Sequence, residues 1–198
     1  MPDATVRYRE VVFKLVLVGE STVGKTSLVR RFVQGVFSDH YKSTLGTVVH
    51  KKQVVLPGHD GRSVRTTMMV WDIEGRQDFL SLVKEAYFKK ARGVMAVCDA
   101  TRPETLLALQ NWLQDVRKVE GGIATVIIAN KMDLPASKKL SPSLLDALAK
   151  KYNGQTILAS AKTGLGVEEA FGLLAAAILG RPIAEAPEVD PILRDAES

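Results

Sequence analysis

The sequence is poor in cysteine and in aromatics: Cys98 stands alone among 198 residues, and Phe, Trp and Tyr together make up 6%. A lone cysteine cannot close an internal disulfide, so nothing here calls for an oxidising compartment. Long apolar runs are also missing. The best stretch free of charge near apolar sequence, Ala170 to Gly180, is too short to cross a bilayer. The opening, Met1 to Glu10, has no apolar block of the kind a signal peptide carries. Charge of one sign is not gathered anywhere. The formal net charge of +5 comes from scattered pairs, Lys51-Lys52, Lys89-Lys90, Lys138-Lys139 and Lys150-Lys151, with acids among them. That pattern offers no basic face to a nucleic acid and reads as solvated surface charge. His40, His50 and His59 are spaced too irregularly for a metal site. These absences leave a reduced, cytoplasmic globular protein. At 46% hydrophobic and 25% charged residues it is neither disordered, collagen-like nor a coiled coil.

Strand and helix patterns alternate along the chain. Val11 to Val18 is a nearly unbroken β-branched and aliphatic run, as in a strand buried on both faces of a parallel sheet. Val94 to Cys98 and Ala124 to Ala129 read the same way, which makes Cys98 inert core. Leu106, Leu109, Leu113 and Val116 recur at helical spacing, as do Val167, Ala170, Phe171, Leu174 and Ile178. One pair breaks the alternation: 47–56 and 63–71 are strand-like and flank the turn cluster Pro57-Gly58-His59-Asp60-Gly61. The expected class is α/β, a mostly parallel sheet with one antiparallel edge and helices on both faces. Beyond Ile178 three prolines appear, and acids outnumber bases by five to two from Arg181 to Ser198. The expected organisation is an extension over 1–10, one domain over 11–180 and an acidic tail over 181–198.

Chemistry enters with Gly19, Glu20, Ser21, Thr22, Val23, Gly24, Lys25 and Thr26, which fit G-x-x-x-x-G-K-[ST] between a strand and a helix that continues through Ser27. Glycines let such a loop wrap phosphates, and its N–H groups and the helix N-terminus donate to them. Lys25 then places its charge on the outer phosphates, and the Thr26 hydroxyl can ligate Mg²⁺. Asn130, Lys131 and Asp133 close a buried strand. A carboxylate at Asp133 can accept from both the N1–H and the exocyclic amine of guanine, whereas adenine would leave it unpaired. Ser160, Ala161 and Lys162 follow the last strand and supply a backbone N–H to the guanine oxygen. Trp71-Asp-Ile-Glu-Gly75 ends the third strand, with Asp72 placed to hold Mg²⁺ through water and Gly75 to turn its N–H toward a γ-phosphate. Trp71 and Trp112 read as packing residues.

With these motifs in order over residues 11–179, the chain resembles the Ras superfamily of small GTPases, and within it the Rab family. The resemblance implies a P-loop NTPase fold with six strands, GTP/GDP and Mg²⁺ as cofactors, and slow hydrolysis of GTP. It casts Tyr41-Lys-Ser-Thr-Leu-Gly46 as switch I, with Thr44 reaching Mg²⁺ in the GTP state, and Phe37 as the aromatic beside the base. Effector proteins would read switch I (around 38–46) and switch II (around 73–88), and an exchange factor and an activating protein are implied. The catalytic set becomes Lys25, Thr44 and Gly75, together with whatever orients the attacking water. There the chain departs from the family pattern Trp-Asp-Thr-Ala-Gly-Gln-Glu, reading Trp71-Asp-Ile-Glu-Gly-Arg-Gln77. Arg76 takes the place of the water-orienting glutamine, and a guanidinium has donors only. Three outcomes stay open: poor water positioning, a built-in arginine finger, or a shifted register in which Gln77 serves. A GTP-binding scaffold that rarely hydrolyses is the alternative function. The sequence ends Asp195-Ala-Glu-Ser198 without prenylated cysteines, and Met1-Pro2 forbids myristoylation, so no direct lipid anchor is expected.

Overall fold

A computed structural model of the chain describes residues 9–38, 44, 46–57, 63–75, 84–135 and 140–180. Six strands and five helices are described: β1 (Arg9–Val18), α1 (Lys25–Gln34), β2 (Thr47–Pro57), β3 (Ser63–Ile73), α2 (Lys84–Phe88), β4 (Ala91–Asp99), α3 (Pro103–Glu120), β5 (Ala124–Asn130), α4 (Pro142–Lys151), β6 (Gln155–Leu158) and α5 (Val167–Ile178). The strands form one sheet in the order β2-β3-β1-β4-β5-β6. Only β2, an edge strand, runs antiparallel to its neighbour, pairing along its whole length with β3 from Thr47↔Ile73 to Pro57↔Ser63. The other four pairings are parallel. This is the α/β arrangement that the alternating patterns predict, a mostly parallel sheet with one antiparallel edge, and its six strands are those the resemblance implies.

Burial follows the sequence pattern closely. Leu15 to Val18 are wholly inaccessible, because helices cover both faces of the sheet. One apolar layer joins the sheet to α1 and α5, where Phe32 and Phe171 stack with ring centroids 3.8 Å apart. The other joins it to α2 through Phe88, to α3 through Leu106, Leu109, Trp112, Leu113 and Val116, and to α4 through Leu145 and Leu148. Cys98 lies in this second layer, and burial pushes its thiol up to about 12, so it is inert. The first strand begins two residues earlier than its apolar run. Arg9 and Glu10 pair with Val64 and Arg65 across the sheet, and Glu10 meets Arg65 at 3.2 Å, a polar continuation that hydrophobicity does not signal.

The topology positions the site. From β1 the chain proceeds to one side of the sheet and, after β3, to the other, so the strand order reverses beside β1. In open α/β sheets ligands bind beyond the carboxyl ends of the strands at such a reversal. The residues that leave those ends are Gly19 after β1, Glu74 after β3, Asp99 closing β4, Asn130 closing β5 and Ser160 beyond β6. Register aligns them: Leu17 pairs with Asp72, and Asp99 with Asn130.

Candidate functional site

The loop between β1 and α1 is shaped by backbone that few residues accept. Gly19 (φ 136°) and Gly24 (φ 100°) lie in the left-handed half of conformational space, and Thr22 joins them at 65°. A Cβ at Gly19 would sit 2.2 Å from the Val97 carbonyl, and one at Gly24 would sit 2.3 Å from the Asn130 side-chain nitrogen. The cradle therefore exists only because both positions lack a side chain. Helix α1 opens with no side-chain cap and no acid in its first turn, leaving its N–H groups for an anion. Lys25 is 7% exposed, and its Nζ donates to the carbonyls of Gly19 (2.6 Å) and Glu20 (2.9 Å). Burial pushes its ammonium down to about 8, partly offset by the charges of Asp72, Glu20 and Glu74. An arriving anion would restore it.

Beside the loop, three oxygen-bearing side chains from three segments meet. Thr26 Oγ1 lies 2.8 Å from Thr44 Oγ1 and donates to Asp72 Oδ2 at 2.5 Å. Asp72 is fully buried, and its other oxygen, Oδ1, has no hydrogen-bond partner. A buried carboxylate oxygen left without a donor is costly unless a cation or water completes it. Burial raises the Asp72 carboxyl, and the Thr26 bond and the Lys25 charge oppose the rise. Two hydroxyls and a carboxylate are the hard oxygen donors that Mg²⁺ prefers, so these residues fit that ion. Elsewhere among the described residues no cluster of three or more His, Cys, Asp or Glu could hold a metal. Gly75 closes this side: a Cβ there would come 2.5 Å from the Ser21 nitrogen, so the end of β3 packs directly on the loop.

On the far side, Asn130 is the tie. Its Nδ2 donates to the Val23 carbonyl at 2.9 Å, and its Oδ1 accepts from the Ala161 N–H at 3.1 Å, one of the backbone donors expected to serve the guanine oxygen. Ser160 Oγ donates to Asp133 Oδ1 at 2.6 Å, and Asp133 is otherwise exposed at the mouth of the site. Lys131, held at φ 69°, reaches Asp99 Oδ2 at 2.6 Å. Phe37 is half-buried and packs against the α1/α5 core layer. Ser27 is half-buried in the first turn of α1, and Lys162 is exposed. Arg76, Gln77 and most of the expected switch I and switch II segments lie outside the described residues.

Several residues that hold the site in place carry no motif. Arg102 donates from Nε to Asp99 Oδ2 (3.0 Å) and from Nη2 to the Ser21 carbonyl (3.3 Å) and Thr22 Oγ1 (3.0 Å). Burial alone would raise the Asp99 carboxyl, but bonds from Lys131 and Thr101 outweigh it and hold it at about 2. Lys131, Asp99 and Arg102 thus link the Asn130–Asp133 corner to the apex of the glycine loop. Trp112, besides packing, donates from Nε1 to Glu20 Oε1 at 3.0 Å. Arg31 on α1 grips the carbonyls of Ala161 (2.9 Å) and Lys162 (2.5 Å). The position of Asp99 and Arg102 at the carboxyl end of β4 was the one signal that could have flagged them.

The Ras family sequence profile matches residues 14–180. The chain belongs to the Ras family. Within it the likeness is to Rab proteins. Rab-13 of Mesocricetus auratus is 33% identical over 169 residues, covering 85% of this chain and 80% of that protein. RabC of Dictyostelium discoideum is 31% identical over 166 residues, 83% of each chain. Rab-2B of the same organism is 34% identical over 163 residues, 82% of this chain and 78% of its own. A Rab-like Ras family member is a small GTP-binding switch GTPase, and that is the class of this protein. Among the described residues no helix is long and apolar enough to cross a membrane.

Proposed function

We propose that this Ras family protein is a Mg²⁺-dependent switch that binds GTP, hydrolyses it slowly to GDP, and shows its effector proteins a different surface in each state. The meeting of Thr26, Thr44 and Asp72 beside Lys25, with Asp72 Oδ1 left for a further partner, carries this reading. Gly19 to Ser27 wrap the phosphates, Lys25 neutralises them, and Gly75 donates its N–H to the terminal one. Asn130, Lys131, Asp133 and the Ser160–Lys162 loop read the base, while Thr26, Thr44 and Asp72 would hold Mg²⁺, directly or through water. Mg²⁺ held there would supply positive charge against the negative charge that grows on the phosphates during transfer. Thr44 belongs to the segment that leads into β2, so letting go of the ion frees that segment. Exchange factors and activating proteins would set the rates, in the cytoplasm. Nucleotide extracted from purified protein, followed by a hydrolysis time course, tests the reading. Bound guanine nucleotide with no hydrolysis would favour the scaffold alternative, and no guanine nucleotide at all would end both.

Two results are expected at the edges of this site. Arg76→Gln should raise single-turnover hydrolysis severalfold, because glutamine can accept from water and a guanidinium cannot. Ordering a long arginine inward also costs up to about 2 kcal/mol of side-chain entropy. A tenfold fall in both Arg76→Gln and Arg76→Ala would instead make Arg76 a built-in finger. Arg102→Ala should speed release of a fluorescent GDP by roughly threefold to tenfold, the worth of one net hydrogen bond of about 0.5–1.5 kcal/mol. Arg102→Lys keeps the charge but not the fork, so it should recover only part. Stopped-flow release rates equal to wild type in both variants would remove Arg102 from the site.

A further inference from the structure

Arg31 gathers three backbone carbonyls from two segments far apart in sequence. It stands in the last turn of α1, and its guanidinium donates from Nη1 to the Gly35 carbonyl (2.9 Å), from Nε to that of Ala161 (2.9 Å) and from Nη2 to that of Lys162 (2.5 Å). The first bond caps the negative end of the helix. The other two fix consecutive peptide units of the loop after β6. In a trans peptide the C=O and the N–H that follows it point opposite ways, and among the described residues no peptide bond is cis. Two carbonyls turned toward one guanidinium therefore turn the N–H groups of Lys162 and Thr163 away from it. The second of these shows what lies on that side. The Thr163 N–H donates to Ser160 Oγ at 3.1 Å, and Ser160 Oγ in turn donates to Asp133. The Lys162 N–H is thus turned toward the same corner, beside the Ala161 N–H that Asn130 Oδ1 accepts from.

We propose that Arg31 is a positioning residue for base recognition: it sets the loop so that its N–H groups meet the oxygen at position 6 of guanine and nothing larger. This rests on the guanine-nucleotide reading above. The guanidinium touches no base atom and acts only through the two peptide units it holds. A planar fork on two adjacent carbonyls leaves those units little room to shift or rotate. A donor fixed in this way discriminates well, because a poorly matched acceptor leaves it badly paired and the loop cannot move to compensate. Cut loose from α1, the loop would adapt to whatever the base presents, and the discrimination would fade.

The test measures dissociation constants of the full chain for GDP, 6-thio-GDP and IDP, all with Mg²⁺, in wild type, Arg31→Ala and Arg31→Lys. The thio base keeps the N1–H and the exocyclic amine but puts a larger, weaker acceptor at position 6. Hypoxanthine keeps the oxygen and lacks the amine assigned to Asp133. Wild type should bind GDP about tenfold more tightly than 6-thio-GDP, the upper worth of one net hydrogen bond. Both variants should bring that preference to about threefold or less, lysine included, because a point charge cannot hold two peptide units as a fork does. The preference for GDP over IDP should stay within about twofold of wild type, since Ser160 is buried and its N–H remains bound to the Leu165 carbonyl. Arg31→Lys keeps a cation at the end of α1 and carries the test where alanine costs the fold. A merely structural loss would lower all three affinities alike and leave both preferences unchanged, which would overturn the role of Arg31 and leave the switch standing. Wild type indifferent to sulfur at position 6, or both preferences collapsing together in the variants, would overturn it as well. Wild type binding none of the three nucleotides would overturn the functional reading itself.

Discussion

Asp133→Asn is expected to turn the protein from guanine to xanthine nucleotides, with GDP affinity falling by roughly a hundredfold or more and XDP affinity rising correspondingly. The carboxylate is exposed at the mouth of the site and pinned by Ser160 Oγ at 2.6 Å, so its direction is set before a base arrives. In the proposed site, two donors of guanine would face the two acceptor oxygens of Asp133. Asparagine keeps one acceptor and replaces the other with a donor, which meets the exocyclic amine of guanine head-on and suits the oxygen xanthine carries there. Charge-assisted bonds are worth about 1.5–3 kcal/mol each, so losing one and opposing a second accounts for about two orders of magnitude. The fold should not notice, since exposed substitutions usually stay within about 0.5 kcal/mol. Competition binding with GTP and XTP, run beside a thermal melt, reads both effects. A variant that still prefers GTP as strongly as wild type would show that Asp133 does not face the base.

How much of this was written in the sequence depends on whether a contact is local. The buried strands announce themselves because a parallel strand covered on both faces must be apolar throughout, as Leu15 to Val18 are. The cradle is legible because backbone geometry demands glycine at fixed spacings, and Gly19, Gly24 and Gly75 each stand where a Cβ would strike another segment. The braces are not legible. Arg102 reaches Ser21 across 81 residues, Trp112 reaches Glu20 across 92, and Arg31 reaches Ala161 across 130. An arginine on a helix and a tryptophan in an apolar stripe look the same in sequence whether or not the fold aims their donors at a loop. Glu74 is an intermediate case. Its departure from the family pattern is plain in the sequence, but only the sheet shows that its partner is Gly46. Phe37, which the resemblance makes the aromatic beside the base, is partly packed against the α1/α5 layer, a contact that no motif announces.

Lys25→Ala should remove most of the stabilisation that nucleotide gives the protein. A ligand at a thousand times its Kd stabilises the folded state by about 4 kcal/mol, and each kcal/mol is worth roughly 2–4 °C for a domain of this size. Wild type stripped of nucleotide should therefore gain on the order of 10 °C when GDP and Mg²⁺ are restored. In the variant the phosphates lose their buried cation, and the carboxylates of Asp72, Glu20 and Glu74 face them without the charge that offset their repulsion. If affinity falls a hundredfold, the same ligand concentration leaves about 1.4 kcal/mol, and the gain in melting temperature shrinks to a few degrees. Alanine also strands the Gly19 and Glu20 carbonyls that Lys25 now satisfies, which lowers the stability of the empty protein by a separate route. Lys25→Met strands the same carbonyls, since a thioether cannot donate to them, but it keeps most of the apolar stem and so spares the packing that alanine loses. Both variants should lose the ligand-dependent shift, while methionine should hold the baseline melt closer to wild type than alanine does. A full shift retained by Lys25→Met would mean that the ammonium does not meet the phosphates, and no shift in wild type would mean that the glycine cradle does not bind them at all.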